Sequence, residues 1–275
     1  MEEAGSAGEM EPLVQIRPEG PIAHVVMRRG GNNAIAPDLM EGLARAFGQV
    51  GEDPEVRAVV LESAYEHYFS VGADLSEMGT LDLEAPDAPL QIMRLLERSE
   101  PGFAAIAACP KPVIARLNGH ALGGGCELAL CCDYRIMVED GRSRIGQTEA
   151  ALGIMPGAGG TQRLVRLIGR ARALPLLYEA TRLSAGEARQ LGLVNQAVPP
   201  DELDAAVAAL ADRLARSATQ ALAMIKDAVE RGQDLPLPEA LRIEAANFAR
   251  AALSEDALLG VISFFQKQEP EFRGR

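Results

Sequence analysis

Basic residues are scarce. The chain carries 27 lysines and arginines against 39 aspartates and glutamates, a formal net charge of −12 at pH 7. Nonspecific grip on nucleic acid needs a positive face that displaces counterions from phosphates, so this balance argues against such a partner. Long apolar runs are also missing: no stretch approaches the ~20 residues that cross a membrane. The opening MEEAGSAGEMEP is acidic and small, with neither the basic start nor the apolar core of a secretion signal. It reads as a flexible leader, residues 1–12, on a cytoplasmic protein.

Four cysteines in 275 residues do not make a disulfide framework. Cys126, Cys131 and Cys132 cluster without zinc-site spacing and without a following histidine, so they read as small buried residues, and no metal site is expected. Only three histidines occur, His24, His67 and His120, and none stands beside a serine or cysteine in a nucleophile motif. No Gly-Lys-Ser/Thr is present to form a P-loop, and no G-x-G-x-x-G follows the first strand to hold a dinucleotide.

With 48% hydrophobic residues the chain has ample material for a core. Leu13 to Met27 alternates around a Pro18–Pro21 turn, predicting two strands. Leu39, Leu43, Phe47 and Val50 share one helical face within 38–50, and Val56–Leu61 is a run of buried-strand type. A long helix over 89–107, a strand over 112–117, a glycine-dense turn over 119–125, a helical run over 126–132 and a strand over 134–138 follow. Strands alternating with helices to about residue 195 predict an α/β architecture. Ser184 and Glu187 match a capping box, and further helices run through residues 199–275, beginning with Leu203, Val207, Leu210 and Leu214 on one face. Those helical stripes serve either the chain's own core or another subunit. No tandem repeat is visible in the sequence.

Three glycine-rich stretches stand out: FSVGAD (69–74), GGGCE (123–127) and GIMPGAGG (153–160). Glycine there either turns the chain tightly or lets a ligand approach bare backbone N–H groups at a helix start. An amide near Gly124, paired with one from the Gly72-Ala73 turn, would make a two-donor oxyanion hole. Glu127 lies one turn beyond Gly124, and Glu149 ends the turn IGQTE. Each is either a solvated carboxylate or half of an acid/base pair.

FSVGADL, NGHALGGGCELAL and IGQTEAALGIMPGAGGTQRL together resemble the enoyl-CoA hydratase/isomerase (crotonase) superfamily, with Asn33-Ala34 and LSAGEARQLGLVNQAV extending the likeness from about residue 13 onward. The resemblance implies an α/β fold built as a repeated ββα spiral core (13–198), with a helical C-terminal trimerisation region (199–275). It implies that Ala73 and Gly124 donate their N–H groups to a thioester carbonyl. Glu127 and Glu149 match the two glutamates that flank the water of hydratases. The segment Val71, Gly72, Ala73, Asp74, Leu75 and Ser76 would run beside the CoA moiety, and Phe265 and Lys267 resemble CoA-contacting or neighbour-subunit elements. The implied activity is reversible hydration of an enoyl-CoA to 3-hydroxyacyl-CoA. CoA is then part of the acyl-CoA substrate, no cofactor is needed, and the assembly is a homotrimer or dimer of trimers. The alternatives are another crotonase-type reaction (isomerase, decarboxylase or pathway-specific dehydratase) or a non-catalytic interaction protein on the same scaffold. Keeping both acids favours hydration. The sequence departs from the usual hydratase pattern at Thr148, where proline is common, at His67-Tyr68, and at Gly30–Asn32, which lack a basic residue. Arg28, Arg29 or His67 would then meet the CoA phosphates, unless His67 is an ordinary loop residue. Part of the acyl pocket wall is expected from 78–93.

Overall fold

The computed structural model describes residues 11–275. The leader expectation therefore falls, except for Glu11 and Pro12, outside the described residues. Strands β1 (Val14–Glu19) and β2 (Ile22–Met27) form the expected hairpin, but the turn is tighter than the sequence suggests. Pro18 sits inside β1 opposite Ala23, which is tolerated because β1 is an edge strand. Helix α1 (Pro37–Glu52) opens on a proline, where no intrahelical donor is lost, and buries Leu39, Leu43, Phe47 and Val50.

Next come β3 (Ala58–Ser63), β4 (Tyr68–Ser70), the one-turn α2 (Leu75–Met78) and the long α3 (Ala88–Ala108). Then β5 (Val113–Leu117) leads through β6 (His120–Leu122) into α4 (Gly124–Cys131). Strands β7 (Tyr134–Val138) and β8 (Ile145–Gly146) precede a 3₁₀ turn at Glu149–Leu152 and helix α5 (Gly160–Ile168). After α6 (Arg170–Tyr178), α7 (Ala185–Gln190) and β9 (Gln196–Val198) the chain is helical: α8 (Leu203–Ala215), α9 (Thr219–Gly232), α10 (Leu237–Ala252) and α11 (Glu255–Gln266).

The strands form two sheets. A six-stranded sheet has the order β1-β2-β3-β5-β7-β9, parallel apart from the β1–β2 hairpin, and a three-stranded parallel sheet has the order β4-β6-β8. After the β1–β2–α1 unit, which gives both its strands to the large sheet, three passes (β3–β4, β5–β6 and β7–β8) each give one strand to the large sheet, the next to the small sheet, and then a helical element. That is the expected ββα spiral. It leaves no repeat in the sequence because the three small-sheet strands are only two or three residues long.

Every residue of β3 is buried, because the large sheet is covered on both faces. On one face, α1 and α3 pack over Val59, Leu61, Val113, Ala115 and Leu117. On the other, Leu203, Val207, Leu210 and Leu214 of α8 close over Ala58, Val60, Ile114, Ile136 and Val138. The first helix of the C-terminal region is thus sealed into the core. Helices α9 and α10 pack on each other, fastened by the Asn247 amide donating to Asp227 (2.7 Å) and Met224 O (3.1 Å). Beyond them the surface is apolar: Phe248 is 73% exposed, Leu253 88%, Phe264 78% and Phe265 79%. Among the described residues no helix is long and apolar enough to cross a membrane.

Candidate active site

The three small-sheet strands run parallel, so their C-terminal ends open on the same side, and the chain leaves each in a turn that carries chemistry. Such strand ends are where α/β folds place ligands. The turn Val71–Asp74 follows β4, the Gly123 turn and α4 follow β6, and Gln147–Glu149 follows β8.

The first turn is aimed by its own backbone. Ile35 N donates to Gly72 O (2.7 Å) and Asp74 N donates to Ile35 O (2.8 Å), a single parallel bridge between Ile35 and Ala73. In a trans peptide the carbonyl and the following N–H point in opposite directions. Because Gly72 O faces Ile35, the Ala73 N–H faces away from it, and among the described residues it has no acceptor. Gly72 makes the turn with φ +97°, and a methyl group there would press on Leu122 O at 2.8 Å and on Gly124 N at 3.2 Å.

The second turn supplies a matching donor. Gly124 is the first residue of α4, where an N–H has no intrahelical partner, and it too lacks an acceptor among the described residues. A methyl on Gly124 would lie 3.6 Å from Ala73 N, so the two free amides are neighbours. The close approach of α4 to β4 also depends on Gly125, whose added Cβ would collide with Ser70 O. Two preorganised N–H groups beside a helix start form a trap for a developing oxyanion.

Glu127 lies on the first turn of α4 with its side chain directed back toward the helix start, and it is 3% exposed. Its Oε1 accepts from Ala158 N (2.8 Å) and Gly160 N (2.7 Å), donors from the approach to α5 and its first residue. Burial pushes the Glu127 carboxyl above its ordinary range, and those two amides and the Arg163 charge oppose the rise. Glu149, half-buried, comes to the same place from the third turn: its Oε1 lies 3.2 Å from where a Cβ on Gly123 would be. Burial first, and then the charge of Glu127, push its carboxyl up to about 7. The buried Gln147, packed against Gly160, donates to Glu149 Oε1 (3.0 Å) and Oε2 (3.3 Å) when its amide nitrogen faces the carboxylate.

Two free amides and two carboxyls of raised pKa thus lie close together at the ends of the small-sheet strands. A match to the family description "Enoyl-CoA hydratase/isomerase" spans residues 17–275. The chain belongs to the enoyl-CoA hydratase/isomerase family. It is 37% identical over 268 residues to the short-chain-enoyl-CoA hydratase of Clostridium acetobutylicum, covering 95% of this chain and 98% of that one. It is also 37% identical to the crotonyl-CoA hydratase of Syntrophomonas wolfei over 87% of this chain and 89% of that one. Among solved structures, the enoyl-CoA hydratase of Bacillus anthracis superposes with a TM-score of 0.87 at 34% identity, over 96% of this chain and 100% of that one.

The structure brings Ala73, Gly124, Glu127 and Glu149 near one another. Asp74 is occupied structurally: it accepts from Ser76 N (3.1 Å) at the start of α2 and takes Arg29 Nη1 at 2.8 Å. Arg29 also donates to Asp38 (2.9 Å), and Arg28 pairs with Glu11, so both guanidiniums already face carboxylates. His67 is exposed on the loop before β4. Leu75 and Ser76 are exposed on α2, and Val71 is tied by its N–H to Asn32 O (3.2 Å). Phe265 and Lys267 stand apart at the end of α11, solvent-facing and without hydrogen bonds to these turns among the described residues. The sequence reading missed Gln147 and the amides of Ala158 and Gly160. The PGAGG run before a helix was the signal for those amides, since such a helix start offers free donors to a carboxylate.

Proposed function

We infer that the chain is an enoyl-CoA hydratase, adding water across the 2,3 double bond of an enoyl-CoA thioester and, in reverse, dehydrating the 3-hydroxyacyl-CoA. The observation that carries this reading is the pair of amides, Ala73 N–H and Gly124 N–H, neighbouring each other without an acceptor among the described residues and close to Glu127 and Glu149. Attack of water at Cβ drives charge onto the thioester oxygen, and the two amides receive it. Losing one such donor costs about 3 kcal/mol in comparable sites. The two N–H groups on Glu127 Oε1 favour its ionised form, and Glu127 takes the water proton. Glu149, held up to about 7, retains a proton near neutrality and delivers it to Cα. The pair holds one proton in either direction, passing from one member to the other in the course of reaction.

This chemistry is acid–base and electrostatic, and in this reading CoA enters only as part of the substrate. The names of the two curated relatives favour a short acyl chain. Apolar side chains of α3 support an acyl site, since Leu96 reaches the Gly157 loop that follows Glu149. The bare apolar faces of α9 to α11 support assembly as a homotrimer or dimer of trimers, in which Phe265 and Lys267 would meet a neighbouring copy. Purified protein without added metal or cofactor is expected to bleach the enoyl-thioester absorbance of crotonyl-CoA and to give a product 18 mass units heavier. An acyl-CoA panel that yields only products of unchanged mass, or loss of carbon dioxide, would contradict hydration.

A further inference from the structure

We propose that Asn33 is a positioning residue for this reaction: its buried amide holds the Ser70–Asp74 turn so that the Ala73 N–H meets the thioester oxygen. The proposal rests on the hydratase reading above. Asn33 is fully buried and left-handed, at φ +52°, a conformation asparagine tolerates and most side chains do not. Its Nδ2 donates to Ser63 Oγ (2.8 Å) and Phe69 O (3.0 Å), and its Oδ1 accepts from Arg29 N (2.8 Å). One side chain therefore ties together the segment after β2, the end of β3 and the middle of β4. The partners also fix the amide's orientation, because Phe69 O can only accept and Arg29 N can only donate.

The main chain of Asn33 completes the hold. Its carbonyl accepts from Ser70 Oγ (2.7 Å), and that oxygen accepts in turn from Gly72 N (3.3 Å). On either side the same loop braces the turn, with Val71 N on Asn32 O and Ile35 N on Gly72 O. The last of these bonds turns the Ala73 N–H outward. Residues 32–35 thus act as a backbone template for the donor, and Asn33 locks the template to the sheet. A donor displaced by a fraction of an ångström keeps substrate binding and loses transition-state stabilisation.

Asn33→Gly is the decisive variant, because glycine keeps the left-handed backbone while removing the amide. Ser70→Ala is the milder second variant, and Val207→Ala, in the α8 layer that packs on Val60 and Ile136 and has no hydrogen bond to residues 32–35 or 70–74, is a destabilised control. Two readouts separate positioning from mere structure. The first is the kcat and KM split on crotonyl-CoA. The second is the thioester carbonyl stretch of bound, carbon-13-labelled butyryl-CoA, which has no double bond to hydrate. Asn33→Gly is expected to lower kcat about 10–100-fold with KM changed less than about threefold, and to move the stretch back toward its solution frequency. Ser70→Ala should move both the same way by less, and Val207→Ala should lose thermal stability while moving neither. Variants that melt earlier yet keep the native stretch and kcat would overturn the proposal, as would a wild-type complex with an unshifted carbonyl. Should Asn33→Gly fail to fold, Ser70→Ala decides, and a native stretch and kcat there overturn it. A shifted carbonyl without hydration of crotonyl-CoA would instead remove the hydratase reading and leave the spectrum to decide the role of Asn33.

Discussion

At the scale of single residues, two glutamates differ because their surroundings differ. Glu127 is the more deeply buried but rests on two amides, whereas Glu149 is half-buried and pushed up to about 7. A carboxyl raised on folding stabilises the native state fully below its unfolded value and loses that contribution as pH rises through the folded one. For Glu149 the window runs from 4.5 to about 7. Glu149→Gln is therefore expected to melt higher than wild type at pH 8 in a thermal scan, with a smaller difference at pH 5. The same substitution should lower hydration by about 10²–10⁴, since proton delivery is lost. Glu127→Gln keeps a carbonyl oxygen for the Ala158 and Gly160 amides, so it should fold and lose activity to a similar extent. Because the reaction needs a pair holding one proton, kcat/KM for hydration should fall above pH 7, as Glu149 loses its proton, with an acid limb set by Glu127. A profile that stays level above pH 7 would contradict a proton delivered by Glu149.

At the scale of elements, the short strands of the small sheet decide where the chemistry sits, and they were the least legible part of the sequence. The long amphipathic pieces could be read directly: Leu39, Leu43, Phe47 and Val50 on α1, and Leu203 to Leu214 on α8, bury where their period says. Strands β4, β6 and β8 are too short to show alternation, so only the glycines at or just after their ends marked them. Helices α5 and α6 escaped the sequence reading as well. The glycines before α5 and Pro175 inside α6 look like loop residues until tertiary packing overrides them. The free amides were visible only as glycine turns with two readings each. What settles their aim is the Ile35 bridge, a contact between segments more than thirty residues apart that no local pattern encodes. The element-scale test is Gly72→Ala. Its φ of +97° and the 2.8 Å approach to Leu122 O should cost about 1–3 kcal/mol in a denaturant melt and lower kcat about a hundredfold.

At the scale of the whole molecule, a strongly acidic chain exposes a run of large apolar side chains along helices α9 to α11, with a second group on α2, α3 and residues 152–155. Phe248 and Leu253 are left largely uncovered by the described residues, and exposed patches of this kind mark subunit contacts. Sedimentation is expected to show a trimer or its dimer. Leu253→Glu or Phe248→Glu should shift the protein toward monomer while the far-ultraviolet spectrum is kept, because the site-bearing sheets lie in the separate core. A wild-type monomer at micromolar concentration would contradict this. The central claim concerns where a thioester oxygen sits, and a crystal structure with bound butyryl-CoA measures that directly. The account predicts the oxygen about 2.7–3.1 Å from both Ala73 N and Gly124 N, with Glu127 and Glu149 reaching Cβ and Cα. An acyl group bound with its carbonyl turned away from either amide would contradict it.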